Sequence, residues 1–222
     1  MAVGFGWRSA SALRPRKFKS GASAPEVKGA GALLRPLYLR HNVGVKETLE
    51  LINRMQADGV IGKYAIGGAV AATIYLEPAA TFDVDVFVTL PTTKGSLLVS
   101  LGPIYEYAKA RGYRIEREHI VIGDWPVQFL SADDDLLHDA VADAVEVNVE
   151  GVRTWVMPAE HLVAIALRTG RSKDHLRILQ FIEQDAVDRD RLNQLLDRHG
   201  LTARWREFEA KYPGGEHGQE DR

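Results

Sequence analysis

The sequence contains no cysteine, which excludes both a disulfide framework and a thiolate metal site. It has no apolar run near the roughly 20 residues that a helix needs to cross a bilayer, so we expect no membrane-spanning helix. Neither sign of charge dominates, because 28 Lys and Arg stand against 30 Asp and Glu among 222 residues. With 45% hydrophobic and 26% charged residues, the composition is globular and excludes a wholly disordered or fibrous chain.

The first 44 residues differ from the rest in charge. They hold eight Lys or Arg against a single acid, Glu26, whereas acids exceed bases in the remainder. They are rich in Gly, Ala, Ser and Pro without a period of 2 or 3.6, so we predict a disordered basic extension. The same composition suits an organelle transit peptide or an arm that binds nucleic acid through phosphates. An over-long gene prediction is a further interpretation, since helical periodicity begins abruptly at Val45.

The pattern after this extension divides the chain into two parts. Residues 45–157 alternate helical and strand-like segments, whereas 158–212 show helical spacing only, and 213–222 are predicted to be a disordered tail. We therefore expect an α/β (α+β) fold, with a small mixed-sheet core followed by an α-helical C-terminal part. The predicted helices are 45–57, 69–76, 96–111, 133–143, 159–169, 172–184, 188–198 and 202–210, and the predicted strands are 63–66, 83–89, 113–122, 125–130, 145–149 and 152–156.

Two motifs in the core carry candidate chemistry. Gly67-Gly68 follows a short strand and precedes a helix, so its backbone can approach a ligand closely and the helix start can face an anion. Asp83 and Asp85 lie two residues apart on the next predicted strand, so their side chains share one face. Two close carboxylates repel, and a hard divalent cation such as Mg²⁺ relieves that repulsion. Together the motifs predict a site for phosphoryl or nucleotidyl transfer.

This arrangement resembles the nucleotidyltransferase superfold of DNA polymerase beta-like enzymes. The shared pattern is an apolar residue before Gly67-Gly68, followed by Asp83-Val84-Asp85 on the next strand. The resemblance covers roughly residues 45–210 and implies the mixed-sheet core described above.

In more detail, the sequence is similar to the AbiEii/AbiGii-type toxin branch of that superfold. In this branch a Thr or Ser stands two residues before the first Asp, as Thr81 does here. The branch also carries an Arg or Lys followed by Asp in its helical second half, and Arg171-Ser-Lys173-Asp174 matches it. The implied roles are metal binding for Asp83 and Asp85, nucleotide binding for Gly67, Gly68, Thr81 and Lys173, and catalysis by Asp83, Asp85, Lys173 and Asp174, with Asp174 as an orienting or basic group.

The resemblance implies a cytoplasmic, Mg²⁺-dependent nucleotidyltransferase. It would move a nucleoside monophosphate from an NTP to a hydroxyl and release pyrophosphate. The acceptor stays open between an RNA end (tRNA included), a protein side chain and a small molecule. A toxin of this branch would have a cognate antitoxin as its partner, and no membrane partner is expected.

Two positions depart from the family's pattern. The AbiEii-type pattern usually has an Arg two residues before Thr81, where this sequence has Ala79. The superfold usually supplies a third carboxylate from a later strand, where this sequence has Gln128, whose amide oxygen can bind a metal but adds no charge. Either one metal suffices, or another acid such as Glu116 or Asp174 substitutes, or catalysis is lost. If catalysis is lost, the alternative function is a weakened nucleotide-binding module. A further alternative is an aminoglycoside-like small-molecule nucleotidyltransferase.

Overall fold

The computed structural model describes residues 44–77, 83–91, 100–123 and 125–213. These residues form an α+β fold with one seven-stranded mixed sheet, which confirms the predicted fold class. The helices are α1 (Gly44–Ala57), α2 (Gly68–Ala72), α3 (Gly102–Lys109), α4 (Asp135–Ala142), α5 (Ala159–Thr169), α6 (Ser172–Glu183), α7 (Arg189–Arg198) and α8 (Thr202–Lys211). The strands are β1 (Tyr64–Ile66), β2 (Val84–Val88), β3 (Arg114–Glu116), β4 (His119–Ile122), β5 (Trp125–Ser131), β6 (Val145–Val149) and β7 (Val152–Val156).

The sheet has the strand order β3-β4-β5-β2-β1-β7-β6. β2 lies near its centre, antiparallel to β1 and parallel to β5, and β1 is also parallel to β7. The polar and apolar residues at the start of β2 alternate between the two faces of the sheet. Val84 and Val86 are buried, whereas Asp85 between them is only half-buried and points to the opposite face.

Three predicted elements differ from those observed. The predicted strand 113–122 is two strands, β3 and β4, paired antiparallel across a turn at which Arg117 has a left-handed φ of 57°. The predicted helix 69–76 ends early as α2, and the Thr73 hydroxyl donates to the Val70 carbonyl at 2.7 Å just after its end. Of the predicted helix 96–111, residues 96–99 lie outside the described ranges and 102–109 form α3, with Pro103 in its first turn, where a missing N–H costs nothing.

The helical part packs around α5. This helix contacts α2, α4, α6 and α7, and α2 in turn contacts β2. Val163 of α5 and Ile178 and Phe181 of α6 are fully buried. Each such side chain stabilises the fold by about 1.5–3 kcal/mol relative to exposure to water. The four helices predicted after residue 158 are all observed.

Several predictions fall on residues outside the described ranges. They concern residues 1–43, Ala79, Thr81 and residues 214–222. The basic extension, the tail and the role of Thr81 therefore stay predictions. Within the part of the chain that the structure describes, no helix is both long and apolar enough to cross a bilayer.

Candidate functional site

The two sequence motifs meet where β1 ends and β2 begins. The backbone N–H of Gly67 donates to the carbonyl of Asp85 at 2.9 Å, which ties the Gly-Gly turn to the acidic strand. A Cβ on Gly67 would lie 2.5 Å from the nearest ring atom of Phe87 and 3.1 Å from the sulfur of Met157. A side chain at this position therefore has no room, and only glycine lets the turn pass this close to β2.

Gly68 lies against the carboxylate of Asp85. Its φ of 61° is left-handed, a conformation that residues with a side chain rarely adopt. A Cβ there would lie 3.0 Å from the carboxyl carbon of Asp85 and closer still to one carboxylate oxygen. The glycine thus leaves space for this carboxylate beside the backbone, as expected where a ligand is held between a turn and an acid.

The electrostatic environment of Asp85 favours a bound cation. Burial raises the pKa of its carboxyl above the ordinary value, and the charge of Asp83 raises that pKa further. The charges of Lys173, Arg177 and Arg171 act in the opposite direction but do not restore the ordinary pKa. Because the ionised form of Asp85 is disfavoured, a cation that binds both carboxylates would relieve the penalty.

The oxygen donors at this point fit a Mg²⁺ ion. Asp83 directly precedes β2 and is exposed, Asp85 is half-buried beside it, and Gln128 of β5 is the register partner of Asp85. One or two carboxylates, with substrate phosphates and water completing the shell, are the usual protein contribution to Mg²⁺. Among the described residues no group of three or more His, Cys, Asp or Glu is placed to hold a metal.

A row of polar side chains continues from Asp85 across the sheet. Gln128 also pairs with His119 of β4, and His119 pairs with Glu116 of β3. Directly paired residues on neighbouring strands point to the same face, so all four side chains line one face of the sheet. His119 was not selected from the sequence, because its place in this row depends on strand register. Glu116, the alternative third acid, is two strands away from Gln128.

Gln128→Glu is expected to strengthen divalent-ion binding. The change is isosteric and places a third carboxylate beside Asp85. The carboxylates then repel each other more strongly without a metal, and a bound cation relieves more of this repulsion. We expect a lower Mg²⁺ concentration at half-maximal nucleotide binding, measured by calorimetry. Gln194→Glu, at an exposed position of α7, adds the same charge remote from this row and should leave that concentration unchanged. Equal Mg²⁺ dependence in both variants would show that Gln128 does not face the metal.

The helical part contributes basic residues whose charges act on Asp85. Lys173, in the first turn of α6, is exposed and lies within electrostatic range of Asp85. Asp174 is buried, with 1% of its surface exposed, and its carboxylate accepts from the backbone N–H of Arg171 at 3.3 Å and from the guanidinium Nε at 2.8 Å. Arg177, one turn later, was not selected from the sequence, and its Nη1 is 3.9 Å from Asp174 Oδ1.

No family model and no curated protein matches this sequence. Solved structures do show a likeness in fold. An antigenic nucleotidyltransferase-like protein from Paracoccidioides brasiliensis is 13% identical, with 77% of this chain and 90% of that chain covered and a TM-score of 0.47. The antibiotic-resistance factor ANT(2″)-Ia in solution is 14% identical, with coverage of 76% and 98% and a TM-score of 0.43. Its crystal structure in complex with adenylyl-2″-tobramycin is also 14% identical, with coverage of 74% and 98% and a TM-score of 0.38.

These neighbours are nucleotidyltransferase-like proteins. At such identities and TM-scores the likenesses carry no argument about the activity of this chain, which has to come from its own residues. The AbiEii-type resemblance stays a prediction, because no family model matches. The roles of Asp83, Asp85, Gly67 and Gly68, and those of Lys173 and Asp174, also stay predictions.

Proposed function

We propose that this protein is a Mg²⁺-dependent nucleotidyltransferase that moves a nucleoside monophosphate from an NTP to a hydroxyl acceptor. The observation that carries the proposal is the setting of Asp85. Its carboxylate lies against the backbone of Gly68, beside Asp83 and within electrostatic range of the basic start of α6. Carboxylates for a metal and cations for phosphates, together with a turn whose backbone lies against one of the acids, suit a metal-bound polyphosphate better than any neutral ligand.

Each group of the site would have a separate role in the reaction. Asp83 and Asp85 would hold Mg²⁺, with Gln128 as a neutral neighbour. The ion, when bound, would neutralise phosphate charge that develops in the transition state. The Gly67-Gly68 turn would lie along the triphosphate, and Lys173 would contact a phosphate. Catalysis of this kind depends mainly on positioning and charge stabilisation.

The proposed reaction is a displacement at the α-phosphorus. The acceptor hydroxyl oxygen forms the new bond to that phosphorus, and the bond to the bridging oxygen of the β-phosphate breaks. Pyrophosphate leaves, and the hydroxyl proton passes to a base or to water. The acceptor stays open between RNA, protein and a small molecule. The proposal includes a role as a cytoplasmic toxin with a cognate antitoxin, and identification of the acceptor and of a binding partner would test that role.

Transfer of label from the α-phosphate tests the proposal. The protein is incubated with Mg²⁺ and each of the four α-labelled NTPs, in separate arms with total RNA, total protein and tobramycin. We expect one arm to yield a labelled product and a γ-labelled NTP to yield none. Lys173→Ala should lower the labelling about tenfold or more through loss of a phosphate contact. Lys46→Ala, an exposed lysine of α1 paired with Glu50, should not lower it.

The second candidate function is a nucleotide-binding module without turnover. The observation that favours it is Gln128, an amide at the register position next to Asp85 where a third carboxylate is expected. In that case MgNTP would raise the melting temperature of the protein, yet no arm of the labelling experiment would give a product. Failure of both binding and labelling would reject the two candidate functions together.

A further inference from the structure

The start of α6 carries an unusual excess of positive charge. Arg171 caps the helix, Lys173 lies in its first turn and Arg177 follows one turn later, whereas Asp174 is the only acid of the first turn. The N-terminus of a helix has a partial positive charge, which favours acids and disfavours cations. Local rules of this kind are most often broken where a site needs the unfavourable group.

Both arginines contact the carboxylate of Asp174. Its Oδ2 accepts from Arg171 Nε at 2.8 Å and its Oδ1 lies 3.5 Å from Arg171 Nη2 and 3.9 Å from Arg177 Nη1. The carboxylate is buried, whereas the Arg171 side chain is 60% exposed and that of Arg177 is 21% exposed. The acid is therefore enclosed while the guanidinium groups keep free donors for a ligand.

This geometry does not suit Asp174 as a base. A general base has to come within hydrogen-bond reach of the hydroxyl whose proton it takes. Asp174 is almost without exposed surface, and Arg171 occupies both of its oxygens. The carboxylate is thus placed to hold guanidinium groups in position, and an acceptor hydroxyl has no access to it.

The net charge of the site becomes positive when a divalent ion enters. The site has three carboxylates, those of Asp83, Asp85 and Asp174. An equal number of basic side chains balances them, those of Arg171, Lys173 and Arg177. A divalent ion on Asp83 and Asp85 adds two positive charges to this balanced set. The metal-loaded site then complements an anion with several charges, and the fork of a guanidinium matches phosphate oxygens in pairs.

We propose that Arg171 and Arg177, held by the buried carboxylate of Asp174, bind the terminal phosphates of the nucleotide, and that Asp174 is a positioning residue and not a base. The proposal rests on the nucleotide site proposed above. It adds two arginines that bind the terminal phosphates of the NTP.

Calorimetry with ATP, ADP, AMP and inorganic tripolyphosphate, each with Mg²⁺, tests the arginines. Arg177→Gln and Arg171→Gln are each expected to lower the affinity for ATP and tripolyphosphate about tenfold or more, because each removes charge-assisted hydrogen bonds to phosphate. The affinity for AMP should stay the same. Arg177→Lys should keep part of the affinity through its charge. The matched control is Arg189→Gln on α7, which also removes one arginine and one ion pair, here with Glu209 at 3.7 Å.

Asp174→Asn tests the positioning role through the sign of its effect. Loss of a negative charge beside an anion site would by itself strengthen binding of tripolyphosphate. We expect weaker binding instead, because the two guanidinium groups lose their anchor. Stronger binding would overturn the positioning role. If Asp174→Asn fails to fold, the arginine variants decide, and equal affinity of wild type and both arginine variants for ATP would overturn the proposal.

These outcomes are separable from failure of the proposed function. If no acceptor is labelled but tripolyphosphate binds through Arg171 and Arg177, the phosphate site stands and the transferase activity fails. If transfer is observed and the arginine variants bind ATP and transfer label as the wild type does, the transferase stands and the phosphate site fails.

Discussion

Asp85→Asn is expected to abolish the rise in melting temperature that MgATP gives the wild-type protein. A ligand that binds only the native state stabilises it by about 2.7 kcal/mol at a concentration a hundred times its Kd, and that gain should disappear with the metal ligand. The same substitution is expected to make the unliganded protein more stable at neutral pH. Thermal unfolding with and without MgATP measures both effects.

The pH dependence of the second effect follows from the raised pKa of Asp85. The folded protein holds this proton more tightly than the unfolded chain, so stability is lost as the pH rises from the ordinary carboxyl pKa through the raised one. Asp85→Asn removes that loss, so its advantage over wild type should shrink as the pH falls through the same window. Asp197→Asn, at an exposed acid of α7, is the control and should change neither quantity. A full MgATP response in Asp85→Asn would place the metal elsewhere.

Gly68→Ala is expected to destabilise the protein by about 3 kcal/mol and to remove nucleotide binding. About 1–2 kcal/mol of this comes from the left-handed backbone, and the remainder from overlap of the new methyl with the Asp85 carboxylate. The methyl group fits only if that carboxylate moves, so the metal ligand is displaced. Urea unfolding measures the first effect and calorimetry with MgATP the second.

Gly59 provides a matched control for the backbone contribution. It is also left-handed, with a φ of 71°, but a Cβ there would meet no atom within 4 Å. Gly59→Ala should therefore cost only the backbone part, about 1–2 kcal/mol, and leave MgATP binding intact. Equal losses of stability in the two variants would mean that Gly68 does not confine Asp85.

The sequence predicted those parts of the site whose signal is local. The glycines of the Gly67-Gly68 turn and the alternation around Asp83 and Asp85 are readable from neighbouring residues, and the fold brings these motifs together. The helices of the C-terminal part were predicted for the same reason, because apolar spacing along one segment fixes each helix.

What the sequence did not reveal depends on pairing between distant segments. His119 joins the row of Gln128 only through the register of β4 on β5, which no local pattern specifies. The role proposed for Arg177 depends on a buried carboxylate one turn earlier and on a strand far away in sequence. The turn at Arg117 was missed because its left-handed residue is not a glycine.

The separation of the acids from the cations along the chain has a consequence for biosynthesis. Lys173 follows Asp85 by 88 positions, although the fold sets them in one site. A ribosome therefore completes the segment with both acids long before the basic start of α6 exists. A nascent or prematurely terminated chain has the mutually repelling carboxylates without the cations that offset them. Under the proposed function, such fragments cannot bind nucleotides, and activity begins only after the start of α6 has been translated.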